Sequence, residues 1–241
     1  MKKVKLSILL ILYYSCSIFD EEASSYTQDY YIEYGWEAFE EKKYDIAEIR
    51  FKTAIETNEY GSVYYFKASI GMGWTYIQKA LEVQEIDHDG YISLAGNYLN
   101  QAYELTSWTS SSSSKENLYA GLCFQRSYWA KQQIAMGILV DTLDTNKNRY
   151  IRDLYEESKE FSMQISPYYI FEHDTTFNYE DFLLIGIESD IFLGNLQDAV
   201  NTITNYDSFN TYNCVNGLDE DSVIECYCII LNNGGCPFTS N

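Results

Sequence analysis

Small and large apolar side chains alternate with polar ones at helical spacing in an early part of the chain. Gly35 and Ala38 are three residues apart and fall on one face of a first predicted helix. Ala47, Phe51 and Ala54 follow at spacings of four and three residues and share one face of a second helix. A two-helix unit of this size cannot bury its apolar face alone. The pattern therefore predicts a helix hairpin that stacks on further copies of itself.

Three further helix pairs are predicted downstream. The second pair repeats the alternation of small and large residues at Gly73, Tyr76, Ala95, Leu99 and Ala102. The third pair runs from Leu118 to about Leu143 and from Arg149 to about Ile165, ahead of Pro167. The fourth pair is indicated by the apolar run that begins at Phe182 and by the second-helix spacing of residues 199–206.

The first helix pair resembles the tetratricopeptide repeat. The signature positions of that family are occupied, in order and without gaps, by Tyr31, Tyr34, Gly35, Ala38, Tyr44, Ala47, Phe51 and Ala54. The resemblance implies an all-α fold, a right-handed α-solenoid of about four such hairpins over residues 30–207. A Ser-rich loop is predicted within it at residues 107–116, where the composition cannot form a core. Tyr44 is expected to close the first turn and Asp45 to cap the second helix.

The same resemblance implies a binding groove, because first-helix side chains line the concave face in this family. The matching positions are Ile32, Trp36, Phe39, Glu40, Ile70, Trp74, Ile77, Gln78 and Arg126. Exposed aromatic side chains there would anchor an extended peptide or a neighbouring protein. The alternative is that Trp36 and Trp74 pack between adjacent repeats, as large apolar residues at helical spacing usually do.

The N-terminus has the order of an export signal. Three lysines precede an apolar run at residues 6–14 that is too short to span a bilayer. Cys16 follows Ser15 directly and resembles the acylated cysteine of bacterial lipoproteins. That resemblance implies a signal peptide of residues 1–15, a diacylated Cys16, and a polar tether over residues 16–29. It further implies a lipid-anchored protein of the bacterial cell envelope, in the outer membrane facing the periplasm. Cleavage after Ser17 is the alternative and would release a soluble, secreted protein.

The net charge of the chain limits the classes of molecule that it is expected to bind. The formal net charge is -20, which disfavours nucleic acid because its phosphates would be repelled. The same charge disfavours contact between the folded body and an anionic lipid surface, so the N-terminal lipid is the only membrane device expected. A protein or peptide partner of basic character is favoured.

The C-terminal region, residues 208–241, is predicted to be an irregular, cysteine-rich cap. The disulfide candidates there are Cys214, Cys226, Cys228 and Cys236. Export favours disulfides, while free thiols and a zinc site remain alternatives, although the usual Cys-x2-Cys spacing of zinc sites is absent. The apolar run at residues 222–231 predicts a short helix that covers the end of the solenoid, with a strand as the alternative.

The sequence contains no catalytic constellation and no cofactor motif, and no metal site is predicted beyond the zinc alternative at the C-terminal cysteines. His88 and His173 are predicted to lie on surface loops, and Cys123 is predicted to be a small buried hydrophobe. The sequence therefore predicts a non-enzymatic scaffold for protein–protein interactions. Two alternatives stay open: an envelope metal-dependent or thiol-dependent module that uses the C-terminal cysteines, and a structural protein whose repeats assemble with each other.

Overall fold

The computed structural model describes residues 29–82, 88–108, 112–135 and 145–231. Nine α-helices lie in these ranges: α1 (Tyr30–Glu40), α2 (Tyr44–Thr57), α3 (Val63–Glu82), α4 (His88–Glu104), α5 (Ser112–Ala135), α6 (Thr145–Ser162), α7 (Tyr179–Leu193), α8 (Leu196–Asn205) and α9 (Val223–Ile230). Short 3-10 helices occupy Thr106–Trp108, Asp207–Thr211 and Asn213–Val215. Over these ranges the β-type pairing is a single isolated antiparallel bridge between Ile170 and Asn178. The all-α prediction is confirmed for the described residues.

The predicted signal peptide, the lipidation candidate Cys16 and the disulfide candidate Cys236 lie outside the described residues. None of the helices in the described ranges combines the length and the apolar character needed to cross a bilayer.

Each helix from α1 to α8 packs against the next one along the chain. The first helices of successive pairs also pack against each other, α1 on α3, α3 on α5, and α5 on α7. Helix α3 lies at the centre of this arrangement, and every residue from Ala68 to Ala80 is buried. A helix that is covered on all sides tolerates few polar side chains, which explains the apolar and small-residue composition of this one.

Close packing between the helix pairs depends on glycines that face one large side chain. The Phe51 ring of α2 lies against Gly35 of α1, where an added Cβ would be 2.6 Å from the Phe51 Cε1 atom, and against Gly71 of α3. Leu99 of α4 lies in the same way against Gly73 of α3, where an added Cβ would be 2.5 Å from its Cγ atom. The Leu99 side chain also lies against Gly121 of α5. The same contact, one large side chain between two glycines, is thus made twice.

A methyl group at Gly73 should destabilise the protein. Because an added Cβ would overlap Leu99, we expect Gly73→Ala to lower the free energy of unfolding by about 1–3 kcal/mol. Gly90→Ala in α4 is the matched control, since nothing lies within 4 Å of its added Cβ. There the better helix propensity of alanine should stabilise by about 0.5–1 kcal/mol. Urea denaturation of both variants measures the difference, and equal effects would contradict this packing.

Three helix boundaries differ from those predicted. Helix α2 has Lys43 at its N-cap, so the prediction of Asp45 as the cap is wrong; the Asp45 carboxylate instead pairs with Lys79 at 2.6 Å. Helix α5 begins at Ser112, inside the predicted Ser-rich loop. Helix α6 begins at Thr145, four residues before the predicted Arg149. For α2 the reason is the Lys79 ammonium, which binds the Asp45 carboxylate that a cap would need. Helices α5 and α6 extend N-terminally from their buried residues, such as Leu118 and Ile151, because adding a residue to an existing helix costs little.

The region after α8 packs onto the last helix pair through its own apolar core. Phe209 and Val223 are fully buried and Tyr227 is nearly so, and they join Ile187 and Ala199 of α7 and α8 in one cluster. Helix α9 contacts both α7 and α8. Of the two alternatives for residues 222–231, the helix is the one observed.

Candidate functional site

Most of the predicted groove residues are covered. The buried ones are Ile32, Phe39, Ile70, Trp74, Ile77 and Gln78. Trp36 is half-buried and Glu40 is exposed. The residues on α1 and α3 face a common space that is largely filled, and an open pocket of about 330 Å³ remains beside Ile32, Trp36 and Ile70.

The filling comes from residues 165–178, which are part of the connection between α6 and α7 and which we call the inserted segment. Its residue Phe171 is fully buried and stacks on Trp74 of α3 with ring centroids 4.2 Å apart. The same ring meets Trp36 and Phe39 of α1 edge to face, at 5.9 and 6.1 Å. The aromatic side chains predicted to anchor a partner thus hold part of the chain itself.

The inserted segment is a short hairpin. The Phe171 amide donates a hydrogen bond to the Phe177 carbonyl at 2.9 Å, and the Tyr179 amide donates to the Tyr169 carbonyl at 3.0 Å. Tyr169 and Phe171 are buried, whereas the intervening Ile170 is 61% exposed. This period of two in the burial is typical of extended chain, but the sequence does not show it, because residues 168–171 are all apolar or aromatic.

Polar side chains fix the hairpin on the helices. The His173 ring stacks on Trp36 with centroids 3.8 Å apart, and its Nδ1 atom lies 2.9 Å from the Glu40 Oε1 atom. His173 lies in a turn, as predicted, but its side chain is only 15% exposed because it packs on α1. Gln78 Nε2 donates to Asp174 Oδ2 at 3.2 Å. These contacts give the buried Gln78 a partner.

Arg126 contacts a different set of helices from the other groove candidates. Its guanidinium donates to Asn100 Oδ1 of α4 at 2.7 Å and to the Glu157 carboxylate of α6. Arg126 therefore joins two second helices and does not lie beside the α1 and α3 candidates.

An open pocket of about 310 Å³ lies beyond the inserted segment, between α5, α7 and α9. Its lining residues are Phe124, Ser127, Tyr128, Lys131, Phe177, Asp181, Leu184, Ile185, Glu188, Tyr227 and Leu231. Helices α5 and α7 each contribute four of them at the spacing i, i+3, i+4, i+7, which is one face of a helix. The sequence does not distinguish these residues from others, because their spacing is that of any helix face packed against a neighbouring helix.

A buried carboxylate lies at the wall of this pocket. Glu188 is 2% exposed, and its Oε2 atom accepts a hydrogen bond from the Tyr227 hydroxyl at 2.9 Å and pairs with Lys131 Nζ at 2.7 Å. The Tyr155 hydroxyl donates to the other oxygen at 3.4 Å. Burial, and then the neighbouring Glu188 charge, raises the pKa of Tyr155 and of Tyr227. Both hydroxyls therefore stay protonated and keep their donor role at neutral pH.

Two further polar side chains line the pocket. Ser127 is 2% exposed, and its hydroxyl is buried without a hydrogen-bond partner among the described residues. Burial raises the pKa of Asp181, partly offset by the bond that its Oδ2 atom accepts from the Asn178 amide at 2.8 Å. An unpaired buried hydroxyl is costly, so Ser127 marks a place where a ligand could supply a partner.

The described residues contain no group of three or more His, Cys, Asp and Glu side chains that could hold a metal ion. Cys123 is fully buried, as predicted, and burial raises its pKa to about 12. A thiol with so high a pKa is protonated at neutral pH and is a poor nucleophile.

A disulfide joins Cys214 to Cys226, with Cα atoms 5.3 Å apart. It ties the 3-10 segment at Asn213–Val215 to α9. Cys228 is also disulfide-bonded.

Breaking the Cys214–Cys226 bond should lower stability. The bond closes a loop with a sequence separation of 12, for which the loss of unfolded-state entropy is worth about 2–4 kcal/mol. We expect Cys214→Ala and Cys226→Ala each to cost about this much in urea denaturation. Since either change breaks the same bond, the double variant should cost little more than one of them. Strictly additive effects would contradict a bond between these two residues.

Comparison with known proteins gives no match: the chain matches no protein family, no curated protein and no solved structure.

Proposed function

We propose that this protein is a lipid-anchored tetratricopeptide-repeat protein of the bacterial cell envelope that acts as a non-enzymatic scaffold for protein–protein interactions. The observation that carries the proposal is the repeated glycine contact. Phe51 lies between Gly35 and Gly71, and Leu99 lies between glycines on α3 and α5 in the same arrangement. Helix pairs that interlock by the same contact favour a stack of repeats, which in such folds presents an extended binding surface.

The layer of first helices supports the same proposal. Helices α1, α3, α5 and α7 pack side by side in order, as expected for the inner layer of a right-handed solenoid. One part of this layer already holds an extended chain segment, residues 165–178, through buried aromatic contacts. The α5–α7 part leaves an open pocket. A surface that binds its own chain in this way is chemically suited to bind another.

Crosslinking in intact cells tests the scaffold function. We expect the wild-type protein to crosslink reproducibly to the same envelope protein or proteins, identified by mass spectrometry. A variant with an unpaired charge in the repeat core, Phe51→Asp, should not fold, because Phe51 is fully buried, and should lose these products at equal abundance, because the partner would recognise the folded surface. Products that are the same for both proteins, or none above the background of an unrelated lipoprotein, would contradict the proposal.

The membrane anchor gives a separate prediction. Two acyl chains are the usual requirement for stable anchoring, and Cys16 is the residue proposed to carry them. We expect Cys16→Ser to move the protein from the membrane fraction to the soluble fraction of cell extracts, or to leave it with an unprocessed signal. Ser17→Ala is the matched control and should leave the protein with the membranes. If both variants stay with the membranes and both are processed to the mature size, Cys16 is not the anchor.

A further inference from the structure

A continuous row of aromatic rings runs from the filled part of the first-helix layer to the open pocket. Trp36 and Phe171 are 5.9 Å apart, and Phe171 and Trp74 are 4.2 Å apart. Phe177 follows at 5.4 Å from Trp74. The row continues from Phe177 to Phe124 at 5.4 Å and from Phe124 to Tyr128 at 5.7 Å. These separations are typical of favourable ring pairs, and the row ends at the half-buried Tyr128, in the pocket wall.

The pocket is the direct continuation of the surface that the inserted segment covers. Phe177 belongs to the inserted segment, yet it also forms part of the pocket wall. The inserted segment binds through an aromatic ring that is buried between other rings, with polar neighbours that pair with the helices. The chain therefore carries, in its own hairpin, an example of the kind of segment that this layer of helices accepts.

We propose that the pocket between α5, α7 and α9 binds one tyrosine side chain of a partner's extended segment, with basic residues beside that tyrosine. The proposal rests on the proposed scaffold function and names the chemistry of its partner. A volume of about 310 Å³ is sufficient for a large side chain together with part of its backbone. The Phe124, Tyr128 and Phe177 rings would enclose the incoming ring.

The charged and polar side chains of the pocket determine which residues of a partner it would favour. The charged groups that line it are Lys131, Asp181 and Glu188, and Lys131 is already paired with Glu188. Asp181 therefore leaves an excess of negative charge, on a chain whose net charge is -20. Lysine or arginine beside the tyrosine would be attracted and acidic residues repelled. A phenolic hydroxyl would supply the missing partner of the Ser127 hydroxyl, which favours tyrosine over phenylalanine.

Calorimetric titration with short capped peptides tests this inference on the folded protein. The probe has one central tyrosine flanked by lysines and glycines, and its relatives carry alanine or phenylalanine at the centre, or glutamates in place of the lysines. We expect the alanine peptide to bind at least about tenfold more weakly than the probe. The phenylalanine peptide should bind about two- to tenfold more weakly, and this difference should vanish in Ser127→Ala. The glutamate peptide should not bind measurably.

Variants of the pocket complete the test. Leu184→Trp fills the pocket and should weaken binding of the probe about tenfold or more, whereas Ile170→Trp, at a 61% exposed position, should leave it unchanged. Should Leu184→Trp fail to fold, Tyr128→Ala removes one wall without adding bulk and should weaken binding as well. Equal binding of the tyrosine and alanine peptides, or of wild type and pocket variants, would overturn the inference.

The peptide titration and the crosslinking experiment test the pocket chemistry and the scaffold function separately. If crosslinking in cells identifies a partner but the lysine-flanked tyrosine peptide does not bind, the pocket chemistry is wrong and the scaffold function stands. If the peptide binds as described but no partner is crosslinked in cells, the pocket chemistry stands and the envelope scaffold function is wrong.

Discussion

Replacing Phe51 with alanine is expected to lower the free energy of unfolding by about 3–5 kcal/mol. Phe51 is fully buried, and its ring fills the space that Gly35 and Gly71 leave open on two helices. Neither glycine has a side chain that could move into the cavity, so closing it requires a shift of the helices or of the Trp36 ring, which meets Phe51 at 4.9 Å. A loss of this size is a large fraction of the total stability of an ordinary domain.

Ile49→Ala is the matched control for Phe51→Ala. Ile49 lies on the same helix and is 62% exposed, so its truncation should change stability by no more than about 0.5 kcal/mol. Urea denaturation followed by circular dichroism measures both variants. If Phe51→Ala costs no more than the control, Phe51 does not join the first two helix pairs as described.

Replacing Phe171 with alanine should have an effect of the same size, about 3–5 kcal/mol. Phe171 is the ring by which the inserted segment is held against Trp36, Phe39 and Trp74, and it is fully buried. Its loss would leave a cavity between three aromatic side chains on two helices. The hydrogen bonds of the hairpin cannot compensate for this loss, because a typical one contributes only about 0.5–1.5 kcal/mol.

The neighbouring residue provides the control for Phe171→Ala. Ile170 is 61% exposed, so Ile170→Ala should change the free energy of unfolding by no more than about 0.5 kcal/mol in the same urea titration. A large difference between two adjacent truncations distinguishes a segment packed into the helix layer from a surface loop. Similar small effects for both variants would mean that the first-helix surface is open, as the resemblance to the repeat family implies.

The inserted segment covers Trp36 and Trp74, which shows why an open groove cannot be identified from a repeat pattern alone. The pattern identifies which residues of α1 and α3 share a face, because helical spacing decides that. Whether the face is exposed depends on residues 165–178, which lie far away in the sequence. The alternating burial of Tyr169 and Phe171 around Ile170 indicates an extended segment, but nothing in its own composition indicates where that segment packs.

Local sequence rules were also outweighed where tertiary packing was strong. The serines from Ser112 onward favour a loop by composition, yet they begin α5, whose buried residues, such as Leu118 and Leu122, lie in the main core. Asp45 has the chemistry of a helix cap, but Lys79 of α3 competes for its carboxylate at 2.6 Å. Capping is worth about 1 kcal/mol, which is small beside the burial of several apolar side chains.

The sequence by itself determined the all-helical class, the first helix pair, and the close contact between small side chains on one helix and large side chains on the other. It could do so because helix periodicity and the absence of a Cβ at glycine act over short distances along the chain. Only the tertiary structure decided that the Trp36 and Trp74 surface is occupied, that Glu188 is buried among Lys131, Tyr155 and Tyr227, and that a pocket stays open beside them. Those features depend on which distant segments meet, and that is decided by the fit of side chains from several helices at once.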